Sequence, residues 1–207
     1  MSNPKNPIRA MLFDLDGTLI DSMPHHHAAW IEWHRLHERP MHEEGFFAAT
    51  AGRTNAEIFA DMLPERSAAE HHAMAEQKEA LYRDIAQTRL ELLPGAQAFA
   101  RQARERGLKL AICTAAGPKN LAFAIERYGL DGWVDTITSP ADGLRGKPHP
   151  DIFAEASRRL GVPAAECLVF EDAPLGVEAA RRAGMRAVAL TTTESATAFE
   201  AFDNLLA

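Results

Sequence analysis

The chain has 207 residues, which is enough for one well-packed core or for a core with a small appended domain. Its net charge of −7 argues against a general nucleic-acid binder, because phosphate backbones require clustered lysines and arginines. The polar N-terminus does not resemble a signal peptide, and no apolar stretch reaches the roughly 18 residues of a membrane helix, so we expect a cytoplasmic protein with no membrane partner.

Five short apolar runs predict the strands of a buried parallel sheet, the third run being weaker than the others. They are residues 8–13, 108–113, 133–138, 167–170 and 186–190. Runs that are apolar almost throughout suit parallel strands that are covered on both faces. Helical patterns that stop at a glycine lie between the runs, at residues 95–107, 118–129, 151–161 and 173–184. This alternation predicts an α/β fold with a Rossmann-like, doubly wound parallel sheet.

Residues 23–91 interrupt the alternation. They contain no convincing strand, and three segments read as helices, at 25–39, 54–62 and 67–88. We therefore expect a helical cap domain at 23–91, inserted into a catalytic core formed by residues 1–22 and 92–207. An insertion at the carboxyl end of a strand lies above the crevice where such sheets bind ligands, which makes it a candidate lid.

The strongest local motif is DLDGT, directly after the first predicted strand. Asp14 and Asp16 stand two residues apart at a strand end, so their carboxylates should point into the same space. Like charges held this close are costly unless a cation joins them or one takes a proton. An Asx turn followed by a helix cap explains the motif equally well when it is considered alone.

Three other positions form a chemical set with this motif. Thr114 and the pair Glu171–Asp172 each follow a predicted strand, and Lys147 lies just before a predicted helix. The carboxyl ends of parallel strands open onto one crevice, so these groups should meet. Carboxylates suit Mg²⁺, while a threonine and a lysine suit phosphate oxygens. Taken singly, each has an ordinary explanation as a helix cap or a solvated loop residue.

The sequence resembles the haloacid dehalogenase superfamily, in the branch with a helical cap after the first motif. That branch includes β-phosphoglucomutase, phosphoglycolate phosphatase and small sugar phosphatases. The motifs that carry the resemblance are DLDGTL at 14–19, CTA at 113–115, GKPHPDIF at 146–153 and EDAPLGVEAARRAGM at 171–185. Together they span nearly the whole chain.

The resemblance implies a role for each matching residue. Asp14 would attack phosphorus and become an aspartyl phosphate, and Asp16 would act as general acid and then as general base. Thr114 and Lys147 would hold the phosphoryl oxygens. The implied Mg²⁺ ligands are Asp14, Asp16 through its backbone carbonyl, and Asp172, with Glu171 supporting the site. The presence of Asp16 argues against haloacid dehalogenation, because dehalogenases of this superfamily lack the second carboxylate.

The same resemblance implies which residues contact the substrate. They are His26, Arg53, Asn55 and Lys78 in the cap, with Ala115 in the core. The resemblance places Ser22 at the hinge. Asn55 departs from the pattern, because β-phosphoglucomutase carries an arginine there that grips the second phosphate of its bisphosphate intermediate. An asparagine lacks that charge, and Arg53, two positions earlier, is the alternative source of it. The departure at Asn55 favours hydrolysis over mutation.

We therefore expect a Mg²⁺-dependent phosphomonoesterase that hydrolyses a small phosphorylated metabolite, of the sugar phosphate or phosphoglycolate type, and exists as a monomer or weak dimer. A β-phosphoglucomutase-like phosphosugar mutase is the first alternative. A non-catalytic metabolite-binding protein on the same scaffold is the second.

Overall fold

A computed structural model describes residues 6–50 and 54–205, apart from the side chains of residues 44, 47 and 48. Two compact units make up the chain. The first contains the residues up to Asp21 together with those from Leu92 onward, and the second is Ser22–Glu91. Among the helices in the described part of the chain, none is both long and apolar enough to cross a membrane.

The first unit contains a five-stranded sheet in which all neighbouring strands are parallel. Its strands are β1 (Ala10–Phe13), β2 (Lys109–Cys113), β3 (Thr136–Thr138), β4 (Cys167–Glu171) and β5 (Arg186–Ala189). Their order is β3-β2-β1-β4-β5, so the chain winds outward from β1 in one direction and then in the other. This arrangement confirms the predicted Rossmann-like, doubly wound α/β fold, and it puts the topological switch point beside β1.

Helices account for most of the remaining described chain. Those of the second unit are α1 (Met23–Leu36), α2 (Glu43–Thr50), α3 (Asn55–Met62) and α4 (Ala68–Ala86). Those of the first unit are α5 (Ala96–Glu105), α6 (Pro118–Tyr128), α7 (Asp151–Leu160) and α8 (Pro174–Arg182). Only α2 was not predicted; it is short and contains a glycine, so it has little helical signal.

Both faces of β1 are covered. Leu12 belongs to the main core cluster, which also contains Phe153 of α7 and Val177 of α8. Because side chains alternate along a strand, the next residue faces the other way: the ring of Phe13 meets that of Phe99 in α5 edge to face, at 6.2 Å between centroids. Burial on both faces fixes the end of β1, and therefore the position of the residue that follows it.

The second unit has its own apolar core. Its buried members are Trp30, Trp33, Ile58, Phe59 and Leu63. Thr54 and Ser67 cap α3 and α4, each accepting a hydrogen bond from the backbone N–H three residues further on, in complete capping boxes. Such caps satisfy backbone donors that the first helical turn leaves unpaired.

Candidate active site

The first acidic residue stands directly at the end of β1. The backbone N–H of Asp14 donates to the carbonyl of Phe170 at 3.0 Å, which extends the β1–β4 ladder by one residue. Phe13 and Phe170 are paired in register, so Asp14 lies level with Glu171 at the end of β4. The Asp14 side chain is buried. Two carboxylates are thus brought side by side by strand pairing alone.

Lys147 joins these two carboxylates. Its ammonium donates to Asp14 Oδ1 and to Glu171 Oε1, and its side chain is only 8% exposed. The ammonium also lies 5.2 Å from the ring centroid of Phe153, a cation–π distance. Burial lowers the pKa of Lys147, but attraction by Asp14 and Glu171 outweighs it and the net shift is upward. The lysine is therefore charged at every physiological pH.

Glu171 is held from two sides. One carboxylate oxygen meets Lys147, and the other accepts from the backbone N–H of Ala173 at 2.9 Å, just before α8. A Cβ on Gly176 would lie 1.8 Å from Glu171 Oε1, so only a glycine leaves room for the carboxylate there. The first turn of α8 therefore both binds this side chain and fixes its direction.

Asp172 is buried among hydroxyl groups. Thr18 Oγ1 donates to its Oδ1 at 3.2 Å, and Thr193 Oγ1 donates to its Oδ2. Burial is the main cause that raises the pKa of Asp172 to about 7, and the charge of Glu171 adds to it, while the hydrogen bond from Thr193 opposes the rise.

The three carboxyls offer a fitting site for a hard cation. One oxygen each from Asp14, Glu171 and Asp172 lies within 4.8 Å of the others. Among the described residues, this is the one group of three or more potential metal-ligating side chains. Burial raises the pKa of Asp14 well above its usual value, and the charges of Glu171, Asp172 and Asp16 add to that rise against the opposing effect of Lys147. One ammonium does not balance this much negative charge. Oxygen ligands, burial and excess negative charge all suit a divalent ion such as Mg²⁺.

The other predicted core residues follow β1 and β2 at the same edge of the sheet. Asp16 is half-buried and near enough to Asp14 for its charge to raise the pKa of that residue. Thr114 follows β2 and is buried; its hydroxyl oxygen accepts from the N–H of Ala116 at 2.9 Å. Ala115 is exposed. The structure thus brings Asp14, Lys147, Glu171 and Asp172 into one cluster, with the others along the same sheet edge.

The second unit contains a polar cluster of its own, around a buried lysine. The Lys78 side chain is 2% exposed, and its ammonium lies 2.8 Å from His26 Nδ1 and 3.0 Å from Glu79 Oε1. The side-chain amide of Asn55 donates to the same Glu79 oxygen. The His26 ring stacks on Tyr82 with centroids 3.8 Å apart. Three predicted substrate-binding residues therefore share one network.

Two further residues named from the sequence, Ser22 and Arg53, remain. Ser22 is fully buried and immediately precedes α1. Arg53 lies outside the described residues.

Sequence reasoning missed the residues that hold the acidic cluster in place. Thr192 and Thr193 follow β5, and Gly176 lies inside α8. The two threonines follow the fifth predicted strand, so the convergence of polar residues at parallel strand ends holds for them as well. The TTT run at 191–193 is the sequence signal that marks them.

The model of the haloacid dehalogenase-like hydrolase family matches residues 8–184. The chain belongs to this family, as the motifs predicted. It is 33% identical over 202 residues to validoxylamine A 7'-phosphate phosphatase of Streptomyces hygroscopicus subsp. limoneus, covering 96% of this chain and 92% of that protein. It is 28% identical over 189 residues to β-phosphoglucomutase of Bacillus subtilis, covering 87% of this chain and 82% of that one. A solved HAD hydrolase, family IA, variant 3, from Entamoeba histolytica has a TM-score of 0.87 at 30% identity, covering 96% of this chain and 91% of that one.

Proposed function

We propose that the protein is a Mg²⁺-dependent phosphomonoesterase that hydrolyses a small phosphorylated metabolite through an aspartyl phosphate. The observation that carries this proposal is the buried contact cluster of Asp14, Lys147, Glu171 and Asp172 at the switch point of the sheet. A structural salt bridge needs only one carboxylate for a lysine. Three buried carboxylates around one ammonium are costly, which argues for a cation-binding catalytic role.

The chemistry divides into two displacements. In the first, a carboxylate oxygen of Asp14 bonds to phosphorus while the bond to the leaving oxygen breaks and Asp16 gives that oxygen a proton. In the second, water attacks the phosphorus and passes its proton to Asp16. The bond between phosphorus and Asp14 then breaks, which releases phosphate and restores both carboxyl groups.

The remaining residues position charge. Asp14, Asp172 and the backbone carbonyl of Asp16 would hold Mg²⁺, which when bound neutralises charge on the phosphoryl oxygens. Lys147 opposes the rise in the pKa of Asp14 and directs its carboxylate, and Thr114 would donate to a phosphoryl oxygen. Most of the rate enhancement would come from such prearranged charges.

We propose that the substrate is of the sugar phosphate or phosphoglycolate type, a choice that the named relatives support. The named relatives act on, or isomerise, small phosphorylated compounds. We propose that His26, Arg53, Asn55 and Lys78 select the leaving group, with Ala115 contributing from the core. Asn55 is neutral and hydrogen-bonded to Glu79, so it offers no charge for a second phosphate, which favours hydrolysis.

A substrate screen tests the proposal. The purified chain is incubated with a panel of phosphorylated metabolites and Mg²⁺, and phosphate release is measured, with EDTA and Asp14→Asn as parallel arms. We expect release that EDTA abolishes and Mg²⁺ restores, and none from the folded Asp14→Asn protein. Near-normal turnover by that variant would refute the nucleophile assignment.

A second arm separates the two phosphosugar activities. A hexose 1-phosphate is supplied with a bisphosphate activator, and isomer formation is compared with phosphate release. Isomerisation with little free phosphate would establish a mutase instead. Tight metabolite binding with no turnover of any phosphoester would support the non-catalytic alternative.

A further inference from the structure

A threonine run leaves the sheet beside the acidic cluster. β5 ends at Ala189, and the next N–H, that of Leu190, donates to the carbonyl of Glu171 at 2.7 Å, which carries the β4–β5 pairing to the strand ends. Thr192 Oγ1 then donates to the carbonyl of Gly17 at 2.6 Å, and Thr193 Oγ1 donates to Asp172 Oδ2. Consecutive hydroxyls thus reach both the first motif and the last acidic residue.

We propose that Thr193 is a positioning residue that fixes Asp172 for Mg²⁺ binding, with Thr192 fastening the neighbouring DLDGT loop. This inference rests on the proposed function, since it concerns the metal site of that reaction. Neither threonine contacts the reacting atoms in this assignment; each acts through another group.

The geometry around Asp172 supports the assignment. Its carboxylate receives one hydroxyl on each oxygen, from Thr18 on Oδ1 and from Thr193 on Oδ2, and these two bonds fix the side-chain torsions. Each carboxylate oxygen has a second lone-pair site, so a cation can still bind. Mg²⁺ demands near-ideal octahedral geometry, and a carboxylate already fixed in direction loses less entropy on binding it.

A purely structural role makes a different prediction. If Thr193 only satisfies a buried carboxylate, its loss lowers the stability of the metal-free protein and leaves Mg²⁺ affinity unchanged. Threonine and valine are nearly equal in shape, so Thr193→Val removes the hydroxyl alone. Thr193→Ser restores it, and Thr191→Val is the matched control, because Thr191 is exposed and makes neither of the two contacts.

The experiment is calorimetric titration of Mg²⁺ into the metal-free full chain. We expect Thr193→Val to weaken Mg²⁺ binding by about 10- to 100-fold, with Thr193→Ser and Thr191→Val within about threefold of wild type. In kinetic assays the loss should appear in the Mg²⁺ concentration for half-activity, and saturating Mg²⁺ should recover most of kcat. Thr193→Ala is measured in the same way should the valine variant fail to fold.

Two outcomes overturn the inference, and they are distinguishable. If Asp172→Asn loses Mg²⁺ binding while Thr193→Val and Thr193→Ala bind like wild type, the positioning role is wrong and the proposed function stands. If wild type itself binds no Mg²⁺, both fail together.

Discussion

A methyl group added at Gly17 is the most direct probe of the site. The residue has φ of +77°, and a Cβ built there would lie 2.1 Å from Asp172 Oδ2 and 2.7 Å from Thr193 Oγ1. A Cβ contact shorter than 3.0 Å is essentially never observed, so in Gly17→Ala the Asp172 oxygen must move by 0.9 Å or more. The backbone cannot yield easily, because Gly17 N–H donates to the Ile20 carbonyl at 2.9 Å.

Two costs of different kinds follow. The left-handed backbone costs an alanine about 1–2 kcal/mol of stability. Displacement of a catalytic group by about 1 Å costs on the order of 10²-fold in rate. We therefore expect Gly17→Ala to lose about 100-fold in kcat/KM, measured by phosphate release at saturating Mg²⁺.

Gly107→Ala is the matched control. Gly107 has φ of +80°, and a Cβ there would have nothing within 4 Å, so the variant carries the same backbone strain without the clash. Both variants should lose stability in urea denaturation, Gly17→Ala by more because it adds the clash to the backbone strain, and only Gly17→Ala should lose activity. Equal kcat/KM for the two variants would refute the claim that Asp172 must stay where the structure places it.

Three further predictions concern the charges of the site. Lys147→Met leaves Asp14 and Glu171 buried without their ammonium, so we expect about 3–5 kcal/mol less stability in urea at pH 8. Burial raises the pKa of Asp14, so the loss should be smaller at pH 5, where Asp14 takes up a proton; equal losses at both pH values would contradict this. The pKa of Asp172 is raised to about 7 in the folded state, against about 3.9 when unfolded, so the folded protein holds a proton that the unfolded chain releases. Stability in EDTA should therefore fall as the pH rises between these two values, and Asp172→Asn should flatten the curve, as thermal unfolding at a series of pH values will show. Gly176→Ala should destabilise the protein although alanine favours helices by about 1 kcal/mol, because its Cβ would lie 1.8 Å from Glu171 Oε1; a rise in melting temperature would show that Glu171 moves freely.

Most of the fold was predictable because burial on both faces leaves a plain trace in the sequence. β1, β2, β4 and β5 lie within a residue or two of the predicted runs, since their apolar residues are required by helices on either side. β3 is shorter than its run of 133–138. The side chain of Asp135 accepts from the backbone N–H of Leu110 at 2.8 Å, so the ladder begins only at Thr136.

For the site, the identities of the main residues were predictable, but their arrangement in space was not. Strand ends and family motifs named the acidic residues and the lysine, because those signals are local in sequence. The position of the Lys147 ammonium between Asp14 and Glu171 depends on packing between distant segments, which no local pattern records. Thr193 carries the weakest signal, since a threonine after a strand is common and only its distance from Asp172 gives it meaning.

The acidic cluster is an unfavourable feature that the fold maintains. Burial of the carboxylates, and then their like charges, oppose folding of the chain without a cation, and the raised pKa of Asp14 expresses that cost. The parallel ladder nevertheless holds Asp14 level with Glu171, because β1 and β4 pair in register and are buried on both faces. Three residues that do not react then fix the positions of the carboxylates. Gly17 and Gly176 leave room for Asp172 and Glu171 because they have no Cβ, and Thr193 donates a hydrogen bond to Asp172. Binding of a divalent cation to the folded state alone would recover the lost stability by mass action. Stability and activity should therefore rise together as Mg²⁺ is added, which a structural salt-bridge cluster would not do.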